Sequence, residues 1–306
     1  MVKLSVIGLL LTLSLSGCSN KTIEQPKDIK DGALVISGDL TYEKIKEAMA
    51  PLMKEETESN MDLEEKEINI DRNFCGIDVC YRTVVEFIQS ETLSAKVSIP
   101  KELKNLVKVE YSDGCLQVDA KDAGGDNALN RVINSRNDSN NPIILKISAP
   151  RLSNIEMSGA SSITVIGDLK QTEGLSIDVS GASNVSCQSF VSGGSLEIDL
   201  SGASNIGIGK VETNAIDIDL SGASNIALQE IKTRQTYADV SGASNISMDG
   251  NFGKVEADVS GCSKMKVKGT ADKASLEASG MSEIDIKSLD CNKISTETSG
   301  MSKIKK

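Results

Sequence analysis

Hydrophobic and polar residues alternate along most of the second half of the chain. Leu175, Ile177 and Val179 are apolar and the residues between them are polar, and the alternation resumes at Val185 and Cys187 after a Ser-Gly pair. A period of two is typical of a β-strand with one buried face. The pattern therefore predicts a strand, a glycine corner and a second strand, followed by a looser corner that leads into the next copy.

This unit recurs along the chain. The Ser-Gly pair begins at residues 158, 180, 201, 221, 241, 260, 279 and 299, so successive copies are 22, 21, 20, 20, 19, 19 and 20 residues apart. Two short strands cannot bury a hydrophobic face alone, whereas stacking each unit on its neighbour buries a continuous column. The repeat predicts an all-β fold, a single-stranded parallel β-helix of about 20 residues per coil, for which we favour a right-handed coil.

Stacking makes each position of the repeat a ladder with rungs about 4.8 Å apart. We expect the corner glycines to need a positive φ or a close backbone approach. The next position, from Ala160 to Met301, is apolar in every copy, so we expect it to point inward. Two positions further on, after a serine, the middle copies carry Asn. The last copies carry Lys264, Glu283 and Lys303 at this position, so we expect exposed turn residues there. The corner glycines are Gly159, Gly181, Gly202, Gly222, Gly242, Gly261, Gly280 and Gly300.

A carboxylate stands two positions before every Ser-Gly pair, on the face predicted to point outward. Neighbouring charges 4.8 Å apart would repel by roughly 0.9 kcal/mol at the dielectric constant of water and about 3.5 kcal/mol at an effective value of 20. Either the row is solvated and screened, or serines and cations offset it, or it faces a basic or Ca²⁺-bridged partner. This candidate cation or partner ladder is Glu156, Asp178, Asp199, Asp219, Asp239, Asp258, Glu277 and Glu297.

The N-terminus carries the pattern of an export signal. An apolar run from Leu4 to Leu15 is too short to span a membrane. The phrase LSGC, which ends at Cys18, resembles a bacterial lipobox. The resemblance implies cleavage before Cys18, acylation of that residue by chains such as palmitate, and attachment to a membrane. By analogy with lipoprotein sorting, Ser19 favours the outer membrane, and the sequence leaves open which side of it the protein faces.

Four segments follow from these patterns. They are a signal peptide at 1–17, a lipidated tether at 18–40, a helical and acidic spacer or cap at 41–67, and the β-helix at 68–306 with regular repeats from about residue 152. The helical segment could instead bind a partner. Pro51 predicts a kinked helix or two short helices as readily as a straight one.

The amino-acid composition argues against some partners and metal ions. The chain has no His and no Trp, and its net charge of −11 repels phosphate backbones, which argues against nucleic acid as a partner. The absence of His also argues against zinc, so Ca²⁺ is the one cofactor considered. Cys75 and Cys80 could bond across a bulge at Gly76, although their spacing puts them on opposite faces of a regular strand.

The chain resembles the autotransporter-adhesin-like lipoproteins that carry the head GIN domain. The resemblance rests on the lipobox, on VKVEYSDGCLQVDA at 107–120, on IILKISAPRLSNIEMSGASSITV at 143–165, and on the repeated Ser-Gly-Ala-Ser phrases. It covers roughly residues 68–306, and the literal Gly-Ile-Asn triplet is missing. It implies a parallel β-helix, a role in adhesion and no established catalytic residues.

Three functions therefore compete. We expect a non-catalytic, adhesin-like envelope lipoprotein, anchored to a membrane by lipid, whose polar faces contact an unidentified envelope or extracellular protein or glycan. A structural spacer in the envelope is the main alternative. The third is a polysaccharide lyase or hydrolase on the same kind of coil, with Arg234, Tyr237 and Asp239 as the residues to inspect.

Overall fold

The computed structural model describes residues 39–58, 62–120 and 142–306. These residues form a β-solenoid of about eight turns with about 20 residues per coil, together with one helix. The predicted all-β, parallel β-helix class is confirmed. Cys18, the signal peptide and most of the tether lie outside the described residues.

One helix and twenty strands make up the described chain. In order they are α1 (Tyr42–Glu58), β1 (Leu63–Glu67), β2 (Gly76–Val79), β3 (Thr83–Gln89), β4 (Ser94–Pro100), β5 (Val107–Ser112), β6 (Cys115–Ala120), β7 (Ile143–Ala149), β8 (Asn154–Met157), β9 (Ser162–Gln171), β10 (Leu175–Val179), β11 (Asn184–Ser192), β12 (Ser195–Leu200), β13 (Asn205–Ile208), β14 (Val211–Glu212), β15 (Ala215–Leu220), β16 (Asn225–Val240), β17 (Asn245–Val259), β18 (Lys264–Ala278), β19 (Glu283–Thr298) and β20 (Lys303–Lys305).

The strands before each corner stack in parallel and in register. Ile177 of β10 lies opposite Ile155 of β8 on one side and Ile198 of β12 on the other. The same column continues through β15 and the last thirds of β16 to β19, and its side chains are buried as far as Leu276. Apolar residues at every second position thus become continuous columns that fill the coil, because each coil buries the face of its neighbour.

The N-terminal end departs from parallel pairing. β4 pairs antiparallel with β1 and β7, and β5 pairs antiparallel with β6. Asp113 and Gly114, both with positive φ, form the tight turn between β5 and β6. Asp-Gly between two alternating runs is a strong hairpin signal. The first coil is therefore flanked by antiparallel strands, and β6 of the hairpin pairs in parallel with β2.

The corner glycines share one backbone conformation. All eight have φ between +70° and +76°. A Cβ placed on Gly222 would lie 2.3 Å from the carbonyl oxygen and 2.9 Å from the nitrogen of Gly202, in the rung before it. The corner therefore requires glycine for two reasons: its φ is positive, and successive coils lie too close together for a Cβ atom.

The inward column at the corner is one residue later than we predicted. Ala203 and its equivalents are half-buried, and Met281 and Met301 are 48% and 77% exposed, so the prediction that this column points inward was wrong. The following serines, from Ser161 to Ser282, are at most 1% exposed. The amide of Ser204 donates to Oγ of Ser224 at 3.4 Å. A hydroxyl is favoured inside the corner because it bonds the backbone groups that the turn leaves there.

The asparagines after the corner form a hydrogen-bonded ladder, and the prediction that they are exposed was wrong. Asn184, Asn205 and Asn225 are 1–3% exposed. Nδ2 of the later asparagine donates to Oδ1 of the rung before it, from Asn205 to Asn184 at 2.8 Å, from Asn225 to Asn205 at 3.0 Å and from Asn245 to Asn225 at 2.9 Å. The asparagine ladder ends at Asn245, and Lys264 takes the same position in the next rung. Charged residues in the last rungs therefore do not indicate that the asparagines in the earlier rungs are exposed.

The predicted disulfide between Cys75 and Cys80 does not form in the structure, where neither cysteine is part of a disulfide. Strand β2 separates them, and five residues of extended chain span about 16 Å, far beyond the Cα separation that a disulfide bridges. Sγ of Cys80 instead donates to the carbonyl oxygen of Val118 at 3.0 Å.

Helix α1 is one continuous helix through Pro51 and packs on the side of the coil. Its Ile45 and Met49 are buried against Ala227. A Cβ on Gly207 would lie 3.2 Å from Cβ of Ile45. Small residues on the outer face of β13 and β16 therefore leave room for the helix to approach the sheet closely.

Candidate interaction face

The acidic ladder of the sequence is continuous in the structure. Asp178 lies opposite Glu156 and Asp199, and each later member lies opposite the next as far as Glu297. Parallel, in-register pairing places these side chains in one line, about 4.8 Å apart. We call the outward face of β2, β8, β10, β12, β15 and the last thirds of β16 to β19 the acidic face.

The structure extends the ladder by one rung that the sequence analysis missed. Asp78 of β2 lies opposite Glu156. The signal was present, because Gly76–Val79 spells the same alternation of apolar and acidic residues as the repeats. It was hidden because Tyr81 takes the place of the corner glycine, with φ of 64° and its backbone stacked on Gly159.

A second outward column broadens the face. Glu197, Asp217 and Glu256 lie two residues before members of the ladder, and Tyr237, 43% exposed, stands in the same column. Near the C-terminal end the composition changes, because three lysines stand beside the carboxylates. These are Lys254, Lys273 and Lys293, aligned in successive rungs.

The first rungs of the acidic face carry no positive charge. From β2 to β15 its outward residues are Gly, Asn, Ser, Ala, Asp and Glu, and the first lysine in the described strands of this face is Lys254. Local hydrogen bonds hold two side chains: Nδ2 of Asn154 donates to Glu156 at 2.7 Å, and Oγ of Ser195 donates to Glu197 at 2.9 Å. Negative charge is therefore concentrated on the N-terminal half of the face.

Partial burial and neighbouring charges both raise the pKa of carboxylates on this face. Partial burial, followed by the charges of Asp178 and Asp219, raises the pKa of Asp199. The same causes raise the pKa of Asp239, with Asp219 and Asp258 as its neighbours. In both cases the folded state disfavours the charged form, and a cation bound near these carboxylates would relieve that cost.

The face is not a ready-made metal cage. Within residues 39–58, 62–120 and 142–306, no group of three or more Cys, Asp and Glu side chains is arranged to hold a metal ion. The ladder is a line, so an ion beside it could contact only the carboxylates of neighbouring rungs and would need other oxygens to complete its shell. This geometry suits an ion that bridges two surfaces, since Ca²⁺ takes six to eight oxygen ligands.

The residues considered for catalysis do not form one site. Tyr237 and Asp239 lie on the acidic face, and Asp258 is the main cause that raises the pKa of the Tyr237 phenol. Arg234 instead lines an open depression of about 540 Å³ with Lys232, Phe252 and Asp272. Three residues of extended strand separate Arg234 from Tyr237 by about 10 Å.

A family model identifies the fold's relatives. The model described as "Putative auto-transporter adhesin, head GIN domain" matches residues 73–248 and 210–305. These two matches together span most of the chain. The chain belongs to this family. The suspected resemblance is confirmed, and membership of an adhesin-like family associates this head GIN protein with the cell envelope.

Solved structures share the fold of this head GIN protein. A crystal structure titled "putative adhesin" from Parabacteroides distasonis is 18% identical, covers 81% of this chain and 98% of its own, and has a TM-score of 0.66. A second from the same species, titled "Putative lipid binding protein", is 19% identical with 81% and 98% covered and a TM-score of 0.65. An adhesin-titled structure from Parabacteroides merdae is 19% identical, with 81% and 97% covered and a TM-score of 0.62.

No curated protein matches the sequence of this head GIN protein. The one helix among the described residues is too short and too polar to cross a membrane.

Proposed function

We propose that this protein is a non-catalytic, lipid-anchored envelope lipoprotein that uses its acidic face to contact another envelope or extracellular protein. The contact is made either directly with a cationic surface of that partner or through Ca²⁺ that bridges to carboxylates on it. The observation that carries the proposal is the uncompensated row of carboxylates from Asp78 to Asp239, aligned in successive rungs. A purely structural coil gains nothing from this row, because each pair of neighbours repels by roughly 0.9 kcal/mol even at the dielectric constant of water.

The absence of lysine from the first rungs supports the same reading. The C-terminal rungs show that lysine fits this face, since Nζ of Lys254 pairs with Glu256 at 2.5 Å. Compensation by lysine is therefore structurally available one coil beyond Asp239, yet the preceding rungs do not use it. A partner with its own positive charges would supply the missing compensation and would gain in association rate from the field of the face.

The experiment is a calorimetric titration of the protein from Ser19 onward, which retains every described residue. The probes are a hexalysine peptide and CaCl₂, each at about 20 mM and about 500 mM NaCl, because screening at the higher salt should abolish a surface charge contact. The test variant carries Asp199→Asn, Asp219→Asn and Asp239→Asn.

A matched control has the same change in net charge on other faces of the coil. It carries Asp249→Asn, Asp272→Asn and Asp290→Asn, all exposed in the structure. We expect hexalysine to bind the wild type and the control at low salt, and the test variant at least tenfold more weakly. Equal loss in both variants would mean that only net charge matters. No binding of either probe to the wild type would favour the structural spacer.

A further inference from the structure

Two cysteines that the sequence places 40 residues apart, Cys75 and Cys115, meet at the N-terminal end of the coil. Gly76 lies opposite Cys115 in the parallel pairing of β2 with β6. The amides of Cys75 and Gly76 both donate to the carbonyl oxygen of Gly114, at 2.8 and 3.1 Å, so the chain bends at Cys75. The two cysteines are therefore diagonal neighbours across adjacent strands.

Their separation suits a covalent link. Strands about 4.8 Å apart and a step of about 3.3 Å along the strand place the two Cα atoms about 6 Å apart. Disulfides join Cα atoms that are about 4.4 to 6.8 Å apart. By the same arithmetic Cys80, at the far end of β2, is out of reach of Cys75.

Each sulfur lies over a glycine of the opposite strand. Sγ of Cys115 is 3.4 Å from the position of a Cβ on Gly76, and Sγ of Cys75 is 3.1 Å from the position of a Cβ on Gly114. Gly76 follows Cys75 in the chain, and Gly114 precedes Cys115. Because neither glycine has a side chain, nothing attached to the glycines separates the two sulfurs.

We propose that Cys75 and Cys115 form a disulfide that fastens the hairpin of β5 and β6 to the first coil. Each thiol loses its proton, one S–S bond forms, and the two electrons reduce a disulfide oxidant, such as oxidised glutathione or a thiol–disulfide oxidoreductase, to two thiols. The exchange passes through a mixed disulfide between one cysteine and the oxidant, which the thiolate of the other cysteine then displaces.

The remaining described cysteines do not compete for this bond, since Cys262, between β17 and β18, and Cys291, in β19, belong to the last coils. Cys187 is 1% exposed in the core. Sγ of Cys80 is hydrogen bonded to Val118. Burial, and then the charges of Asp78 and Glu156, raise the pKa of Cys115 to about 11. The thiolate of Cys115 is therefore scarce at neutral pH, and its fraction rises about a hundredfold between pH 7 and pH 9, so we expect the bond to form at least tenfold faster at pH 9.

A peptide map tests the assignment. The protein from Ser19 onward is incubated with oxidised glutathione, its remaining thiols are alkylated, and it is digested without reduction by trypsin and a protease that cleaves before Asp. Cleavage before Asp78 separates Cys75 from Cys80, which tryptic digestion alone leaves on one peptide. We expect residues 73–77 joined to residues 113–118, with a mass 2 Da below the sum of the two peptides.

Substitutions give an independent readout. Oxidised wild-type protein should melt on the order of 5–10 °C above the reduced protein, because the bond closes a loop of about 40 residues. Cys115→Ser should remove this difference, whereas the control Cys80→Ser should keep it. Alkylation of both cysteines after oxidation, a joined peptide that contains Cys80 instead, or a redox difference that survives in Cys115→Ser would each overturn the proposal.

Discussion

Replacing one corner glycine by alanine tests how the coils are spaced. In Gly222→Ala the new methyl group would lie 2.3 Å from the carbonyl oxygen of Gly202, and the nearest atoms it meets are backbone, so no side chain can move aside. The residue also has φ of 74°. The substitution therefore combines an unfavourable backbone conformation with a steric clash between coils.

The cost can be built from its parts. Holding alanine at positive φ costs about 1–2 kcal/mol, and inserting a methyl group into a packed contact costs about 1–3 kcal/mol. The coils can separate only by weakening the hydrogen bond from the amide of Ala223 to Gly202, now 2.8 Å long, which adds about 0.5–1.5 kcal/mol. We expect the free energy of unfolding to fall by about 2.5–6.5 kcal/mol.

The matched control is Gly167→Ala. Gly167 has φ of 79°, but no atom lies within 4 Å of the position of its Cβ. This variant should lose only the backbone cost of about 1–2 kcal/mol. Urea unfolding followed by circular dichroism measures both variants. The explanation of the corner from contact between coils would be refuted if Gly222→Ala were no less stable than Gly167→Ala.

Three further predictions follow from the structure. Asn225→Ala leaves the amide of Asn245 and the carbonyl of Asn205 without their ladder partner, and urea unfolding should show a loss of about 1–3 kcal/mol; no loss would mean that the ladder adds nothing. The pKa of Asp239 is raised in the folded state, so this group lowers stability as pH rises through its unfolded and then its folded pKa. Asp239→Asn should therefore raise the melting temperature at pH 7 relative to wild type, and the gain should vanish near pH 3. An equal gain at both pH values would contradict the assignment. Ile45→Ala removes a buried contact of α1 with the side of the coil, so limited proteolysis should cut the helix at least tenfold faster while the melting temperature of the coil stays within a few degrees; an equal loss in both would show that helix and coil unfold together.

The fold was predictable because its information is local and repeated. Alternation such as that of Leu175 to Val179 defines a strand with a buried face, and eight copies of one glycine at a near-constant spacing leave stacking as the way to bury that face. The register of the acidic ladder followed without further information, because parallel stacking aligns equivalent residues.

The details that failed depend on contacts that a single repeat does not show. Alanine and serine at adjacent corner positions are both small, and only the backbone groups inside the turn decide that Ser204 points in and Ala203 points out. The asparagine ladder depends on the same residue in the next coil. Tyr81 hid a corner because a tyrosine at positive φ breaks the expected residue type while it keeps the backbone path.

The in-register ladder also has translational symmetry. A partner whose positive charges repeat about every 4.8 Å would meet the same arrangement of carboxylates again when it is displaced by one rung. The six rungs from Asp78 to Asp239 would favour binding of one positive charge by RT ln 6, about 1.1 kcal/mol, without any additional contact. Such a complex has several equivalent alignments, so under an applied force the partner could shift by one rung and bind again without dissociating.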